Sequence, residues 1–453
     1  MDGSQDPPLF LVEFAKDGTL FNVAQATALL SGLHAAQATD LLVISHGWNN
    51  DMAEAQALYK AFLDQVRAVL HMPQAQLNLT ARRLVVMGAQ WPSKKFADAQ
   101  LMPSAAAGLN SPISNAMLVA ELERLKSTAD NSALDPNLKG TFAADDADER
   151  LTQVQQLVPQ LESSPTARQQ FVDLLRSLLP TQGQLADIDA AETFWTLSGE
   201  KLFDLYKQPV PTTALPAGAA SPPVAGHAAG IGGSFLGGIK AAAMNILNLT
   251  TYYQMKERAG SIGQIGVNEL LRRIRGDQSL SNLKIHAVGH SFGCRLLTAA
   301  TAGPDAQHSV RLDSMTLLQG AFSHYGFADN YDDSGHAGFF RRVLSNRTVS
   351  GPLVVSHTRN DRAVGTMYAL ASRLAGQAAS AIGDAHDKFG GLGSNGAQKT
   401  PEAVTGQLEA VGFPYAFAAG QVHNLKADAY IHGHSDICHP ETAYAFLKAM
   451  ATT

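Results

Sequence analysis

Gly289-His290-Ser291-Phe292-Gly293 sets one serine between two glycines in a GxSxG pentapeptide. A serine so framed suits acyl transfer: its hydroxyl attacks a carbonyl carbon once a neighbouring base takes its proton. The pentapeptide by itself is weak evidence, and its surroundings decide. A nucleophile of this kind sits on a strained turn between a strand and a helix, which small residues on either side allow to approach. Leu283–Val288 reads as the strand, and Cys294–Ala300 as the helix, ending near Gly303. The helix start also aims backbone N–H groups and a positive dipole end at the serine oxygen, where negative charge develops.

On these residues the sequence resembles the α/β-hydrolase superfamily of serine hydrolases, over about residues 1–96 and 250–453. The resemblance implies an α/β fold with a mostly parallel central sheet flanked by helices. It also implies a triad in the order nucleophile, acid, histidine, and an oxyanion-hole loop near the N-terminus. Leu42–Trp48 reads as a strand ending in His46-Gly47, after which Asn49-Asn50-Asp51 opens a helix. By resemblance, the backbone N–H groups of Trp48 and Phe292 form the oxyanion hole, although lipases with an HGGG loop carry more glycine here. Pro352–Thr358 reads as a strand that ends before Asp361, 70 residues after Ser291. Asp361 is the expected acid; a helix N-cap is its other reading. Five of the 15 histidines follow it: His386, His423, His432, His434 and His439. His434 is the expected base, because Gly433-His434-Ser435-Asp436 resembles the histidine turn of relatives, with His432 and His439 as the alternatives. The function implied is hydrolysis of carboxylic esters, including lipid or acyl-chain esters, by Ser291, His434 and Asp361 without metal or organic cofactor. Acyl transfer, amide cleavage and a catalytically silent binding protein are the alternatives.

Other residues carry weaker signals. Gln319–Gly326 follows a strand and opens on the edge where ligands bind in such sheets, so His324 and Tyr325 are candidate substrate contacts or, equally, a buried polar pair. His46 and His290 are further candidates beside the core motifs, with packing at a strand end as the other reading of His46 and Trp48. His432-x-His434-x-Asp436 starts like a metal motif, but Ile437 stands where a further histidine is needed. Gly391–Gly396 matches GxGxxG without a preceding strand and reads as a flexible loop rather than a dinucleotide site. Cys294 and Cys438 read as small buried hydrophobes.

The elements that must position these groups alternate along the chain. Strands are expected at Leu9–Phe14, Leu41–Ser45, Arg83–Gly88, Lys284–Gly289, Ser314–Leu318, Leu353–Thr358 and Ala427–Ile431. Helices are expected at Met52–Leu70, Phe292–Ala302, Gly365–Leu374 and Glu441–Met450. Between them, 97–249 reads as one mainly helical cap insertion into a core of 1–96 and 250–453. Within the insertion, Gln208–Ile239 has no Asp, Glu, Lys or Arg, and Pro209, Pro211, Pro216, Pro222 and Pro223 forbid a helix in its first half. Ala228–Leu249 is apolar, with a GxxxG spacing at Gly233–Gly237; Lys240 argues against a membrane span, leaving an interfacial cap segment or a buried one. A helical stretch, Leu249–Arg275, then leads back to the strands.

Composition narrows the classes further. Charged residues are 16% of the 453, hydrophobic residues 45%, and 34 Lys plus Arg against 40 Asp plus Glu leave a net charge of −6. No basic footprint for nucleic acid is present. Two cysteines exclude a disulfide framework. Met1–Pro8 carries acids and prolines where a secretory signal needs a basic and then an apolar stretch, so a cytoplasmic location is expected.

Overall fold

In the computed structural model, which describes residues 6–93, 113–127, 137, 139–180, 191–207, 238–332, 334–361 and 390–453, the apolar runs pair into one sheet. Its strands are β1 (Leu9–Glu13), β2 (Asp40–Ser45), β3 (Leu84–Gln90), β4 (Lys284–His290), β5 (Ser314–Leu318), β6 (Leu353–His357), β7 (Ala403–Gln407) and β8 (Val422–Lys426). They lie in the order β1-β3-β2-β4-β5-β6-β8-β7, every pair parallel. The chain is therefore α/β, with an eight-stranded parallel sheet between helices.

The helices are α1 (Val23–Ala35), α2 (Met52–Leu70), α3 (Asn115–Arg124), α4 (Ala147–Leu157), α5 (Pro165–Ser177), α6 (Ala191–Thr196), α7 (Gly199–Tyr206), α8 (Ile239–Ile262), α9 (Asn268–Gly276), α10 (Phe292–Ala302), α11 (Arg341–Ser345), α12 (Leu392–Asn395) and α13 (Pro440–Ala451). Successive strand residues face opposite ways, so the two sheet faces build two cores. Leu41, Val43, Val85, Met87, Ile285 and Met315 join α1, α8 and α10 on one face. Leu42, Ile44, Val86 and Val354 join α2 and α13 on the other. α2 starts where Asp51 caps it: the Asp51 carboxylate accepts from Glu54 N, and the Glu54 side chain accepts from Asp51 N.

Register brings the functional loops to one edge. Ser45 pairs with Gly289, His290 with Leu318, Leu318 with Ser356, and His357 with Lys426, so β2, β4, β5, β6 and β8 all end at the same level. From β2 the chain crosses to β3 on one side; from β4 it crosses to β5 on the other. That reversal opens a crevice between the β2 and β4 loops at the carboxyl edge, where ligands bind in such sheets.

α8 and α10 run side by side in the same direction. Tyr252 lies on Phe292, Gly260 on Arg295, and Gly263 on Leu296 and Ala299. A Cβ on Gly263 would come 2.1 Å from the Leu296 carbonyl oxygen, so only glycine permits this approach. Residues 239–251 therefore project past the start of α10 by about 20 Å at 1.5 Å per residue. α3, α5 and α7 pack on α8, α4 on α5, and their apolar residues share one cluster with the sheet face. The described residues of the expected 97–249 insertion are mainly helical, while its expected boundary at 249/250 falls inside α8. A π-helical turn, Gly263–Val267, joins α8 to α9. Among the described residues, no helix is long and apolar enough to cross a membrane.

Other differences from expectation have local causes. Ala427–Ile431 is a turn, and β8 precedes it: the Tyr430 and Ile431 N–H groups both donate to Ala427 O, and Asp428 Oδ1 accepts from Thr358 Oγ1 and Arg359 N. β7 escapes notice because it is a half-exposed edge strand with no apolar run. The expected helix Gly365–Leu374 and most of Gln208–Ile239 lie outside the described residues.

At the opposite, amino edge, Asp40 accepts from His286 Nε2 at 3.0 Å, from Arg82 at 2.6 Å and from Thr39 Oγ1 at 2.6 Å, while His286 Nδ1 meets Ser314 Oγ at 2.7 Å. Burial raises the Asp40 pKa, but the hydrogen bonds from His286 and Thr39 and the charges of His286 and Arg82 outweigh it and hold it below the usual 3.8. A carboxylate whose folded pKa is depressed stabilises the fold above its unfolded pKa, and that contribution is lost as pH falls through the folded value. Asp40→Asn is thus expected to cost about 1–3 kcal/mol at pH 7. In urea unfolding from pH 7 to pH 3, the gap between the two proteins should narrow below about pH 4; a gap constant with pH would contradict the ionic account.

Candidate active site

Ser291 stands between β4 and α10 with φ 57° and ψ −123°, a left-handed backbone that a non-glycine residue adopts only under strain. The flanking glycines make that turn sterically feasible. A Cβ on Gly289 would lie 2.7 Å from the Cys294 backbone, and one on Gly293 would lie 2.2 Å from Ser45 O. The turn is held by Ser291 N donating to Leu318 O and by Ala321 N donating to Ser291 O, both at 3.1 Å. Its side chain thereby emerges at the crevice.

His434 reaches the serine from the loop after β8. The Ser291 hydroxyl donates to His434 Nε2 at 2.7 Å, and His434 Nδ1 donates to Asp361 Oδ2 at 2.8 Å. The carboxylate can only accept, so the imidazole proton sits on Nδ1 and the lone pair faces the serine. Asp361 is fully buried and His434 nearly so. The sequence-expected trio is therefore assembled in space. The alternatives are elsewhere: His432 is exposed, and His439 caps α13 with its Nε2 on Asp436 Oδ1 at 2.7 Å.

Both loops are braced against each other. The Asn360 side chain donates to Asp428 O and Ile431 O, joining the acid turn to the turn that leads into the histidine loop. Gln319, a group the sequence reading missed, donates to Asp361 Oδ2 at 3.2 Å and to Gly393 O at 3.1 Å, while its Oε1 accepts from Ser356 Oγ at 2.9 Å. Its only sequence signal is a polar residue ending an apolar strand at the functional edge. Gly391–Gly396, expected as a flexible loop, is largely buried and forms the one-turn helix α12 with its two caps, which supplies this brace; a Cβ on Gly393 would strike the Gln319 backbone at 2.6 Å.

The β2 loop closes the other side. Asn49 N donates to Ser93 O, Asn50 N donates to Ser93 Oγ, and the Asn50 side chain donates to Gly47 O and Trp48 O. Ser93 was also missed, because nothing near it in sequence marks it as a partner of residue 50. A Cβ on Gly47 would sit 2.6 Å from Ser291 Cβ, 3.1 Å from Ser291 Oγ and 3.2 Å from His290 Nδ1. Gly47→Ala is therefore expected to displace the serine and lower turnover of an activated ester at least about 10²-fold, since a misplacement near 1 Å costs that much. A thermal midpoint near native with unchanged turnover would refute this.

The four expected substrate contacts fare differently. His46 is fully buried at the strand end and stacked on Trp91, its Nδ1 donates to Gly47 O at 2.9 Å, and its Nε2 accepts from Trp91 N at 3.2 Å. Burial pushes its pKa down to about 4 against the weaker upward pull of the Gly47 carbonyl, so it stays neutral. His324 and Tyr325 have the burial of the alternative reading, a buried polar pair. Both are buried against Gly390–Lys399, with Asn395 Nδ2 on His324 Nδ1 at 3.2 Å and the Lys399 ammonium over the Tyr325 ring. His290 is buried beside the triad, with its ring 4.9 Å from that of His434. Cys294 is buried as expected, with its pKa raised, whereas Cys438 is only half-buried, with burial lifting its thiol to about 12.

Trp48 is half-buried, and its indole meets Tyr252 at 6.4 Å and Phe292 at 6.1 Å, with Tyr252 and Phe292 at 5.3 Å. This aromatic wall flanks the nucleophile on the α8 side. Comparison of the chain with protein-family models, with curated proteins and with solved structures finds no match of any of the three kinds.

Proposed function

We propose that the chain is a serine hydrolase of the α/β-hydrolase fold that cleaves carboxylic esters through an acyl-enzyme. One observation carries the reading: Ser291 Oγ, His434 Nε2, His434 Nδ1 and Asp361 Oδ2 form a continuous hydrogen-bonded relay on a strained strand-to-helix turn. His434 takes the Ser291 proton as Oγ attacks the acyl carbon, and Asp361 stabilises the resulting imidazolium. The Phe292 and Trp48 N–H groups receive the oxyanion, with the positive end of α10 behind Phe292. His434 then protonates the leaving alcohol. A water, deprotonated by the same histidine, releases the acid and restores the serine.

The projecting half of α8, with α3–α7 around it, is read as a cap over the crevice. The aromatic wall of Trp48, Tyr252 and Phe292 suits an acyl chain or other apolar group, which favours lipid-like esters. Labelling with a fluorophosphonate tests the reading: the native chain should take the label on Ser291, and none should appear after Ser291→Ala. Native chain that stays unlabelled would leave a silent binding protein instead. Hydrolysis rates across acyl lengths should favour longer chains; a sharp preference for acetate would remove the lipid substrate.

A further inference from the structure

His290 is the buried titratable group at the site that the mechanism above leaves unused. Its Nε2 donates to the backbone carbonyl of His434 at 2.8 Å. Its Nδ1 is buried with no hydrogen-bond partner, and a Cβ on Gly47 would lie 3.2 Å from it. A proton there would find no acceptor, so the ring is held as the Nε2–H tautomer. That donation anchors the main chain of the catalytic histidine itself. Within residues 432–439, His432 N donates to Asp436 Oδ2, Asp436 N to Gly433 O, and His439 to Asp436 Oδ1, while Thr442 Oγ1 on α13 donates to Ile437 O. The loop is partly exposed at His432–Asp436, and the His290 contact ties its main chain directly to the nucleophile motif.

We propose that His290 is a positioning residue: its Nε2–H latches the His434 carbonyl and sets the imidazole at hydrogen-bonding distance from Ser291. The inference rests on the serine-hydrolase reading but concerns a different residue. The latch comes from the nucleophile motif itself, so any shift of the β4 turn carries the base with the nucleophile. Burial first, and then the charge of His434, push the His290 pKa down to about 3, against a weaker upward pull from the His434 carbonyl. The ring thus keeps its donor and adds no like charge beside the imidazolium.

The test compares His290→Phe, which retains ring volume and removes the donor, with His290→Gln, which retains an N–H donor. Turnover of p-nitrophenyl butyrate and the rate of fluorophosphonate labelling are measured on folded protein, checked by near-ultraviolet circular dichroism. His290→Phe should lower kcat and the labelling rate about 10- to 100-fold with KM little changed, since a lost positioning contact acts on the reacting geometry. His290→Gln should recover most of that loss. In ¹⁵N-histidine spectra of the native chain, His290 should appear as the neutral Nε2–H form throughout pH 5–9. Native rates in His290→Phe, equal losses in both variants, or a His290 that titrates in that range would overturn the latch. Failure of the native chain to label at all would instead overturn the hydrolase reading, and the spectra report on the latch independently of activity.

Discussion

Ser291→Ala is expected to lower kcat for an activated ester by about 10⁴-fold or more, because the whole covalent route ends with the oxygen. The variant should fold as the native protein does, since alanine keeps the β-carbon packed against Gly47 and makes no new contact. What remains would be the contribution of bound substrate facing the N–H groups of Phe292 and Trp48. Steady-state hydrolysis of p-nitrophenyl butyrate, with a pre-steady-state burst in the native enzyme and none in the variant, checks this. A residual rate within tenfold of native, from protein free of contaminating esterase, would mean that Ser291 is not the nucleophile.

Asp361→Asn is expected to lower kcat by about 10³- to 10⁴-fold at pH 7 while KM changes little. Turned one way, the amide NH₂ donates to His434 Nδ1, which reverses the tautomer and takes the lone pair from Nε2. Turned the other way, its carbonyl accepts from Nδ1 but carries no charge to stabilise the imidazolium. The Asn360 contacts hold the turn in either case, whereas Gln319 keeps its acceptor only when the carbonyl takes the Oδ2 position, so the loss is read alongside a check that the variant is folded. Fluorophosphonate labelling should slow in parallel, unlike in Ser291→Ala, where it vanishes. A loss below tenfold would reduce Asp361 to a loop-shaping residue.

Much of the scaffold is legible in the sequence alone. The bounds of α2 and α10 follow from the Asp51 cap and from apolar spacing, and the central strands follow from β-branched runs. The nucleophile turn was readable because its causes lie within five residues: the close approaches at Gly289 and Gly293 are steric facts of that pentapeptide. Less was visible where burial, rather than pattern, decides. β8 lies five residues before the expected position because its pairing with β6 matches Val422 to Leu353, whereas Ala427–Ile431 is closed into a turn by Asp428. The glycines of 391–396 signal close approach, but not what approaches, which is the backbone of Gln319.

The amino edge shows the limit most clearly. Ser314, His286 and Asp40 are linked at 2.7 and 3.0 Å, the same three residue types at much the same distances as in the relay of Ser291, His434 and Asp361. All three are fully buried within the amino-terminal ends of β2, β4 and β5, on regular strand backbone, and Arg82 is bound to the carboxylate. Residue types and order along the chain determined the parallel α/β scaffold, the strained serine turn and the short set of candidate acids and bases, because these rest on local sterics and periodic burial. Which histidine meets the serine, what braces the acid, and which Ser-His-Asp set faces the crevice were decided by the tertiary structure. Strand register and loop closure bring together groups more than 70 residues apart, and no local pattern records that meeting.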